Sequence, residues 1–177
     1  ATSLDARNRR RDTLVSALAI KTVTDAVNTA ERWLDIAKKD ADALTAERDQ
    51  DEKEALLRTL GLAPGDNIPP NLRSELKNLE EGQKRRATRS VRDGLDRILV
   101  DLLSLYRDVL TVQISSASPL INEELRSSVE KIAENSTAAQ SIHKLEAIAL
   151  ARKRIDANVR DLMVLESLAV SLRNKAN

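Results

Sequence analysis

The chain has 177 residues, and its 29 basic and 28 acidic side chains leave a formal net charge of +1. Four glycines, four prolines and no phenylalanine argue against a strand-rich fold, and the absence of cysteine excludes disulfides and thiolate chemistry and is typical of a cytoplasmic protein. The sequence has no apolar run of about 18 residues and no apolar leader, so it predicts an all-α protein without a membrane span or a secretory signal.

The first two predicted helices lie before Gly61. Residues 4–19 are expected to form a short helix whose first half is basic, and this abrupt opening indicates a boundary inside a longer polypeptide. The second helix is predicted to start at a cap formed by Thr22 or Thr24. It runs to about Leu60, because neither Gly nor Pro interrupts its helical apolar spacing.

A turn-rich segment, residues 61–70, separates the second helix from the third. The third helix is predicted to open at Pro70 or the residue before it. Helices joined by a short loop are antiparallel neighbours, so residue i of the second helix is expected to face about residue 132 − i of the third. The sequence therefore predicts a protruding helical hairpin over residues 45–90. The leucines expected to pack at its tip are Leu56, Leu57, Leu60, Leu72, Leu76 and Leu79.

The C-terminal part is predicted to hold three shorter helices. Asn122, followed by two acidic residues, is typical of the cap of a short helix. Thr137 and Gln140 fit a capping box that starts the next one. A break at Asn158 separates it from the final helix. The predicted fold is a bundle of about six helices in a single domain, 1–177.

Opposite charges are expected to hold the middle of the hairpin together. The stretch from Glu47 to Glu54 has five acidic and two basic residues, and the stretch 84–92 of the third helix carries five cations. Such a basic run is the best candidate for contact with nucleic-acid phosphates, although no aromatic residue interleaves it to stack on bases. The favoured interpretation is that the cations pair with the acidic stretch or are solvated. The five are Lys84, Arg85, Arg86, Arg89 and Arg92.

The sequence predicts no catalytic, cofactor-binding or metal-binding site. His143 is the sole histidine and has no cysteine with which to share a metal, so we expect it at the surface. The glycines are scattered and do not form a phosphate-binding loop. The carboxylates stand among Lys and Arg on mixed-charge faces, where they are ordinarily solvated.

Two stretches resemble a known family. The sequence LEEGQKRRATRSVRDGLDR from Leu79 to Arg97, continued to Leu110, resembles the C-terminal region of the delta prime subunits of bacterial DNA polymerase III in their actinobacterial form. The stretch from Ala151 to Leu168 is similar to the last two helices of clamp-loader subunits, in which an Arg-bearing helix ends in an Ala-Asn turn and an apolar helix with an embedded Glu follows.

This resemblance implies a collar domain, the helical part through which five clamp-loader subunits pack into a ring. The implied partners are the delta subunit and the tau or gamma ATPase subunits, and the implied role is loading the sliding clamp onto primed DNA. The AAA+ modules of the family, with their zinc-binding cysteines, nucleotide-binding loop and arginine finger, are not matched by this chain, so none of those residues is carried over. A plain six-helix collar does not account for the hairpin over 45–90.

The final helix is the predicted partner surface, because it has more apolar residues than one buried stripe requires. The residues expected at this interface are Met163, Val164, Val170, Arg152 and Asn158. Those expected to point inward are Leu162, Leu165, Leu168 and Leu172. The alternative is that all apolar residues of this helix belong to the core. At the level of function, the alternatives are a nucleic-acid-binding module that uses the basic run and a free-standing helical adaptor.

Overall fold

A computed structural model of the chain describes residues 3–63 and 65–174. Within these residues there are six α-helices, two short 3-10 helices and no β-strand, so the predicted all-α class is confirmed. The α-helices are α1 (Ser3–Leu18), α2 (Val23–Thr59), α3 (Arg73–Gln113), α4 (Arg126–Glu134), α5 (Ala138–Asp156) and α6 (Asp161–Ser171). The 3-10 helices are Pro70–Leu72 and Glu123–Leu125.

Local hydrogen bonds define both ends of α2. Of the two predicted caps, Thr22 is the one used: its hydroxyl accepts from the Asp25 N–H at 3.0 Å, and the Asp25 carboxylate accepts from the Thr22 N–H at 2.8 Å. Beyond the C-terminal end, Gly61 has φ +73° and the Leu62 N–H donates to the Leu57 carbonyl at 2.9 Å. This left-handed turn suits glycine, so the helix ends where the sequence predicts.

The capping box of α5 is also confirmed. The Gln140 N–H donates to the Thr137 hydroxyl at 3.2 Å, and the Thr137 N–H donates to the Gln140 side-chain oxygen at 2.9 Å. These two bonds satisfy two of the N–H groups that the start of any helix leaves without partners.

Asn122, by contrast, caps no helix with its side chain. Asn122 is fully buried, and its amide donates to Asp108 at 2.8 Å and to Ser104 at 3.1 Å. Asn122 stands at the N-cap position of the 3-10 helix, but its side chain does not cap it, because the side-chain oxygen that a cap would use accepts from Arg10 Nη2 at 2.6 Å. This 3-10 helix, Glu123–Leu125, comes before α4.

The chain forms two compact units. The first runs up to Ile36 and resumes at Leu95, so it contains α1, the start of α2, the C-terminal part of α3 and the three last helices. The Trp33 ring N–H in this unit donates to the Ser16 hydroxyl at 3.1 Å, which satisfies the polar atom of the largest core side chain. Fully buried members of its core include Leu14, Trp33, Leu95, Leu99, Leu102, Tyr106, Ile148 and Leu165.

The second unit, Ala37–Gly94, is a hairpin of antiparallel helical segments from α2 and α3. The Gln83 side chain donates to the Asp49 carbonyl at 2.8 Å, and Gly94 lies against Ala37. Both pairs fit the predicted register of 132 − i to within one residue, so the pairing of the helices is confirmed. The six leucines expected at the tip are all half-buried.

Candidate interaction surfaces

The last helix, α6, has a buried side and a side that solvent reaches. Met163 is 57% exposed, and Val170 is half-buried two turns further along. Residues seven apart lie on one side of a helix, so Met163 and Val170 share a side, with Glu166 and Ser167 between them; this side is here called the α6 strip. Leu162, predicted to point inward, is half-buried. The predicted inward residues that are fully buried are Leu165, Leu168 and Leu172.

Val164 does not belong to the α6 strip. Its side chain is 2% exposed and lies among the core residues of the first unit. The prediction that Val164 faces a partner is wrong because α6 buries a wide face that takes consecutive positions, both 164–165 and 168–169. A narrow stripe, as assumed from the sequence, would have left Val164 outside.

Arg152 on α5 binds within its own unit. Its Nε donates to Asp96 Oδ1 at 2.7 Å and its Nη2 donates to Asp96 Oδ2 at 3.2 Å, so both guanidinium bonds tie α5 to α3. The hydrogen bond to Asp96 raises the pKa of Arg152. The Arg152 side chain keeps 40% of its surface exposed. A partner contact through that edge stays a prediction.

Asn158 is exposed in the turn between α5 and α6. It has φ +62°, and the following Val159 N–H donates to the Arg154 carbonyl at 3.0 Å, the bond that closes a left-handed helix end. Asparagine tolerates this backbone conformation better than most residues. The turn therefore accounts for Asn158, and its contact with a partner stays a prediction.

In the second unit, Arg86 pairs with the acidic stretch of α2, as the favoured interpretation of the basic run predicts. It donates to Asp49 and to both carboxylate oxygens of Glu52, at 3.2 and 2.6 Å. These bonds from Arg86, with a further one from Arg48, lower the pKa of Glu52 to about 2. Arg86 thus links α3 to α2 and has its charge neutralised there.

The other four cations of the basic run divide into two kinds. Arg92 is half-buried and already has an interaction partner. The remaining three, Lys84, Arg85 and Arg89, are exposed, and their side chains form no hydrogen bond or ion pair with any residue that the structure describes. The interpretation of mutual pairing therefore holds for Arg86 but not for these three.

A buried polar cluster of the first unit was not predicted from the sequence. Asp108 has no exposed surface, and its carboxylate accepts from the N–H groups of Ile121 at 3.0 Å and Asn122 at 2.7 Å. Burial raises the pKa of Asp108, but these donors outweigh it and hold the pKa below its ordinary value. The available signal was the position of Asp108 between the apolar residues Tyr106 and Val109, near the end of α3.

Lys144 is the second unpredicted feature. It is 8% exposed, its Nζ lies 5.0 Å from the centre of the Tyr106 ring, and it donates to the Asn174 side-chain oxygen at 2.6 Å. Asn174 in turn donates to the carbonyls of Leu18 at 2.8 Å and Ile20 at 2.9 Å. Burial lowers the pKa of Lys144 to about 8. These contacts hold the end of the described chain against the α1–α2 connection.

His143 is exposed, as predicted, with Nδ1 at 3.9 Å from Glu146 Oε2. Across residues 3–63 and 65–174, no three His, Asp or Glu side chains gather closely enough to hold a metal ion. None of the helices in that part of the chain is both long and apolar enough to cross a bilayer. Two features of the described surface are open to contact: the α6 strip in one unit and three exposed cations in the other.

Comparison with known proteins gives a partial match. The protein named DNA polymerase III subunit delta' of Bacillus subtilis (strain 168) is 34% identical over 80 residues, which cover 45% of this chain and 23% of the relative. The match thus spans less than a quarter of that relative's length. No family model matches the sequence, and no solved structure matches it either.

Proposed function

We propose that this chain is the oligomerisation domain of a delta prime-type clamp-loader subunit, in which it serves as a scaffold. The match to the Bacillus subtilis protein carries the proposal, because that relative is a delta' subunit of DNA polymerase III. The resemblance of Leu79–Leu110 and Ala151–Leu168 to delta prime and clamp-loader sequences of the actinobacterial type points the same way. In this role the chain transforms no substrate, and ATP is hydrolysed by other subunits of the assembly.

The partners are the collar domains of the delta and the tau or gamma subunits, and the α6 strip is the contact surface. A specific interface buries about 800 Å² on each partner, with apolar residues at its centre and polar ones at its rim. Met163 supplies an exposed, adaptable apolar side chain for that centre. Arg152 and Asn158 are both reached by solvent and are proposed for the rim.

Such packing would hold the ATPase modules of the assembly in place while the sliding clamp is loaded onto primed DNA. A rigid scaffold suits this role. The first unit has a tightly packed core, and such a core resists deformation, so it can keep the attached modules in position. The protein would accordingly act in the cytoplasm, at the replisome.

Complex formation tests the proposal. The chain is mixed with the complete delta and tau or gamma subunits of the same organism, and the mixture is analysed by size-exclusion chromatography with light scattering. We expect co-elution of the wild-type chain and at least about tenfold weaker binding of Met163→Glu, because a charge would be buried at the apolar centre. The matched control is Leu44→Glu, which alters another exposed apolar residue, 68% exposed in the second unit, and should bind as wild type. A wild-type chain that elutes apart from every subunit contradicts the proposal.

A further inference from the structure

Three exposed cations stand together on α3 of the second unit. Arg85 and Arg89 are four residues apart, so their Cβ atoms lie about 6 Å from each other, while Lys84 precedes Arg85 and lies about 100° around the helix from it. None of the three side chains has a hydrogen-bond or ion-pair partner among the described residues. Arg86, in contrast, is engaged by Asp49 and Glu52. The helix therefore uses one cation of this run for its own structure and leaves Lys84, Arg85 and Arg89, here called the basic triplet, open to solvent.

The acidic residues nearest in sequence do not neutralise the basic triplet. Glu81 and Asp93 are each four residues from one of its arginines, yet neither makes an ion pair in the structure. An exposed pair of that spacing contributes only about 0.3–0.5 kcal/mol. A ligand that offers several phosphates at once would displace such weak pairing, because it binds more than one cation of the triplet together.

The surroundings of the basic triplet favour, as its ligand, a polymeric anion whose charges are regularly spaced. It lies on the convex surface of a long helix, without a concave pocket of backbone N–H groups that would hold one small phosphate. The chain's Trp33 and Tyr106 are both buried in the first unit, so no aromatic ring is available beside the triplet for base stacking. Binding without stacking suits the backbone of a duplex better than a single strand.

We propose that Lys84, Arg85 and Arg89 bind the phosphate backbone of double-stranded DNA without reading its sequence. The triplet shares no residue with the α6 strip. The two proposals can therefore fail separately: loss of DNA binding leaves subunit binding unaffected, and the reverse also holds.

Fluorescence anisotropy of a labelled 20-base-pair duplex, titrated with the whole 177-residue chain at 50 and 200 mM NaCl, tests this contact. Each neutralised phosphate contributes about −0.9 to the slope of log affinity against log salt, so three contacts predict about 40-fold weaker binding at the higher salt. Lys84→Gln, Arg85→Gln and Arg89→Gln combined should lose at least about tenfold in affinity at 50 mM. Each single substitution should reduce the salt slope by about one.

The matched control is Lys38→Gln, Arg58→Gln and Lys77→Gln combined, which removes the same charge from other exposed positions of the second unit. It should bind within about twofold of the wild-type chain. Four results would overturn the proposal: no binding at 50 mM salt, an equal loss in the control, tighter binding of a single strand of the same length, or binding to anionic phospholipid vesicles but not to the duplex. Exposed glutamines should leave the helical circular dichroism unchanged, and the single variants decide the matter if the triple variant does not fold.

Discussion

At the scale of single residues, Lys144 is a buried cation of the first unit. The residue is 8% exposed, and burial lowers its pKa from 10.5 to about 8. The cation–π contact with Tyr106 and the hydrogen bond to Asn174 only partly replace the lost hydration. The charged form of Lys144 therefore works against folding.

The stability of the protein should accordingly rise between pH 8 and pH 10. In this window the folded Lys144 has lost its proton while the unfolded one, with a pKa near 10.5, still holds it. The unfolded state then binds more protons, so the free energy of unfolding increases with pH. Between pH 8 and pH 10 the increase is at most about 2 kcal/mol. Above pH 10 the buried Tyr106, whose pKa burial raises, acts in the opposite direction.

Urea unfolding at pH 7, 8, 9 and 10 measures this effect. The control is Lys144→Met, which keeps the length of the side chain and removes its titration. Its free energy of unfolding should lack the rise that the wild-type protein shows. Parallel pH curves for the two proteins would mean that the Lys144 amine is hydrated in solution.

The sequence discloses the helical stripe on which Lys144 lies, but not the burial of its side chain. The buried positions of α5 are Ser141, Lys144, Ile148, Ala151 and Ile155, which follow one helical stripe. A lysine on such a stripe is ordinarily expected to extend its amine to solvent, as long charged side chains do. The contacts with Tyr106 and Asn174 involve residues distant along the chain, so the sequence does not disclose them.

At the scale of elements, the close approach of α2 and α3 depends on a glycine. A Cβ atom built on Gly94 would lie 3.3 Å from the Cβ and 3.4 Å from the Cα of Ala37, whereas one on Gly82 would meet nothing within 4 Å. Both glycines lie inside α3. Comparing alanine substitutions at the two positions therefore separates the effect of helix propensity from the effect of packing.

Gly82→Ala should stabilise the protein by about 0.5–1 kcal/mol, since alanine is the better helix former and the site is open. Gly94→Ala should instead destabilise it by about 1 kcal/mol, because the new methyl group crowds main-chain atoms that cannot move aside alone. Thermal and urea unfolding of both variants measure the difference. Equal stabilisation by the two substitutions would show that the helices are not in close contact at Ala37.

Arg86 provides a second test at this scale. Its bonds to Asp49 and Glu52 join α2 to α3 in the polar middle of the second unit. Arg86→Ala should accelerate amide hydrogen exchange around residues 49–52 and 83–86 and leave the first unit unchanged. The matched control, Arg85→Ala, removes an exposed neighbour that makes no such bonds in the described structure and should not alter exchange.

The Arg86 linkage should also weaken in acid. The pKa of Glu52 is lowered from 4.5 to about 2, so its contribution is complete above pH 4.5 and is lost as the pH falls towards 2. The exchange difference between wild type and Arg86→Ala should shrink over that range. If the exchange difference between wild type and Arg86→Ala did not change with pH, it would come from the lost packing of the aliphatic part of the Arg86 side chain.

The register of this hairpin was predictable, while the exposed side of α6 was predictable only in part. Loop residues 61–70 fix which residues pair, because turn chemistry is a local property of the sequence. Val164 could not be placed correctly because the width of a buried helix face is set by neighbouring helices. The side chain of Asn122 was misjudged for a similar reason, since its hydrogen-bond partners lie on the distant helices α1 and α3.

At the scale of the whole molecule, each unit carries its own candidate contact. The first unit has a packed core and presents the α6 strip, and the second presents the basic triplet. Subunit binding is proposed for one surface and duplex binding for the other. A partner bound to the α6 strip and a duplex bound to the triplet should therefore cover different stretches of the sequence.

Amide hydrogen exchange of the chain, alone and with the complete delta and tau or gamma subunits, tests most directly whether it is a subunit-binding scaffold. We predict slower exchange over Asp161–Ser171, which is α6, and unchanged exchange over residues 79–92. Exchange over α6 that stays the same at saturating concentrations of every subunit would contradict the account.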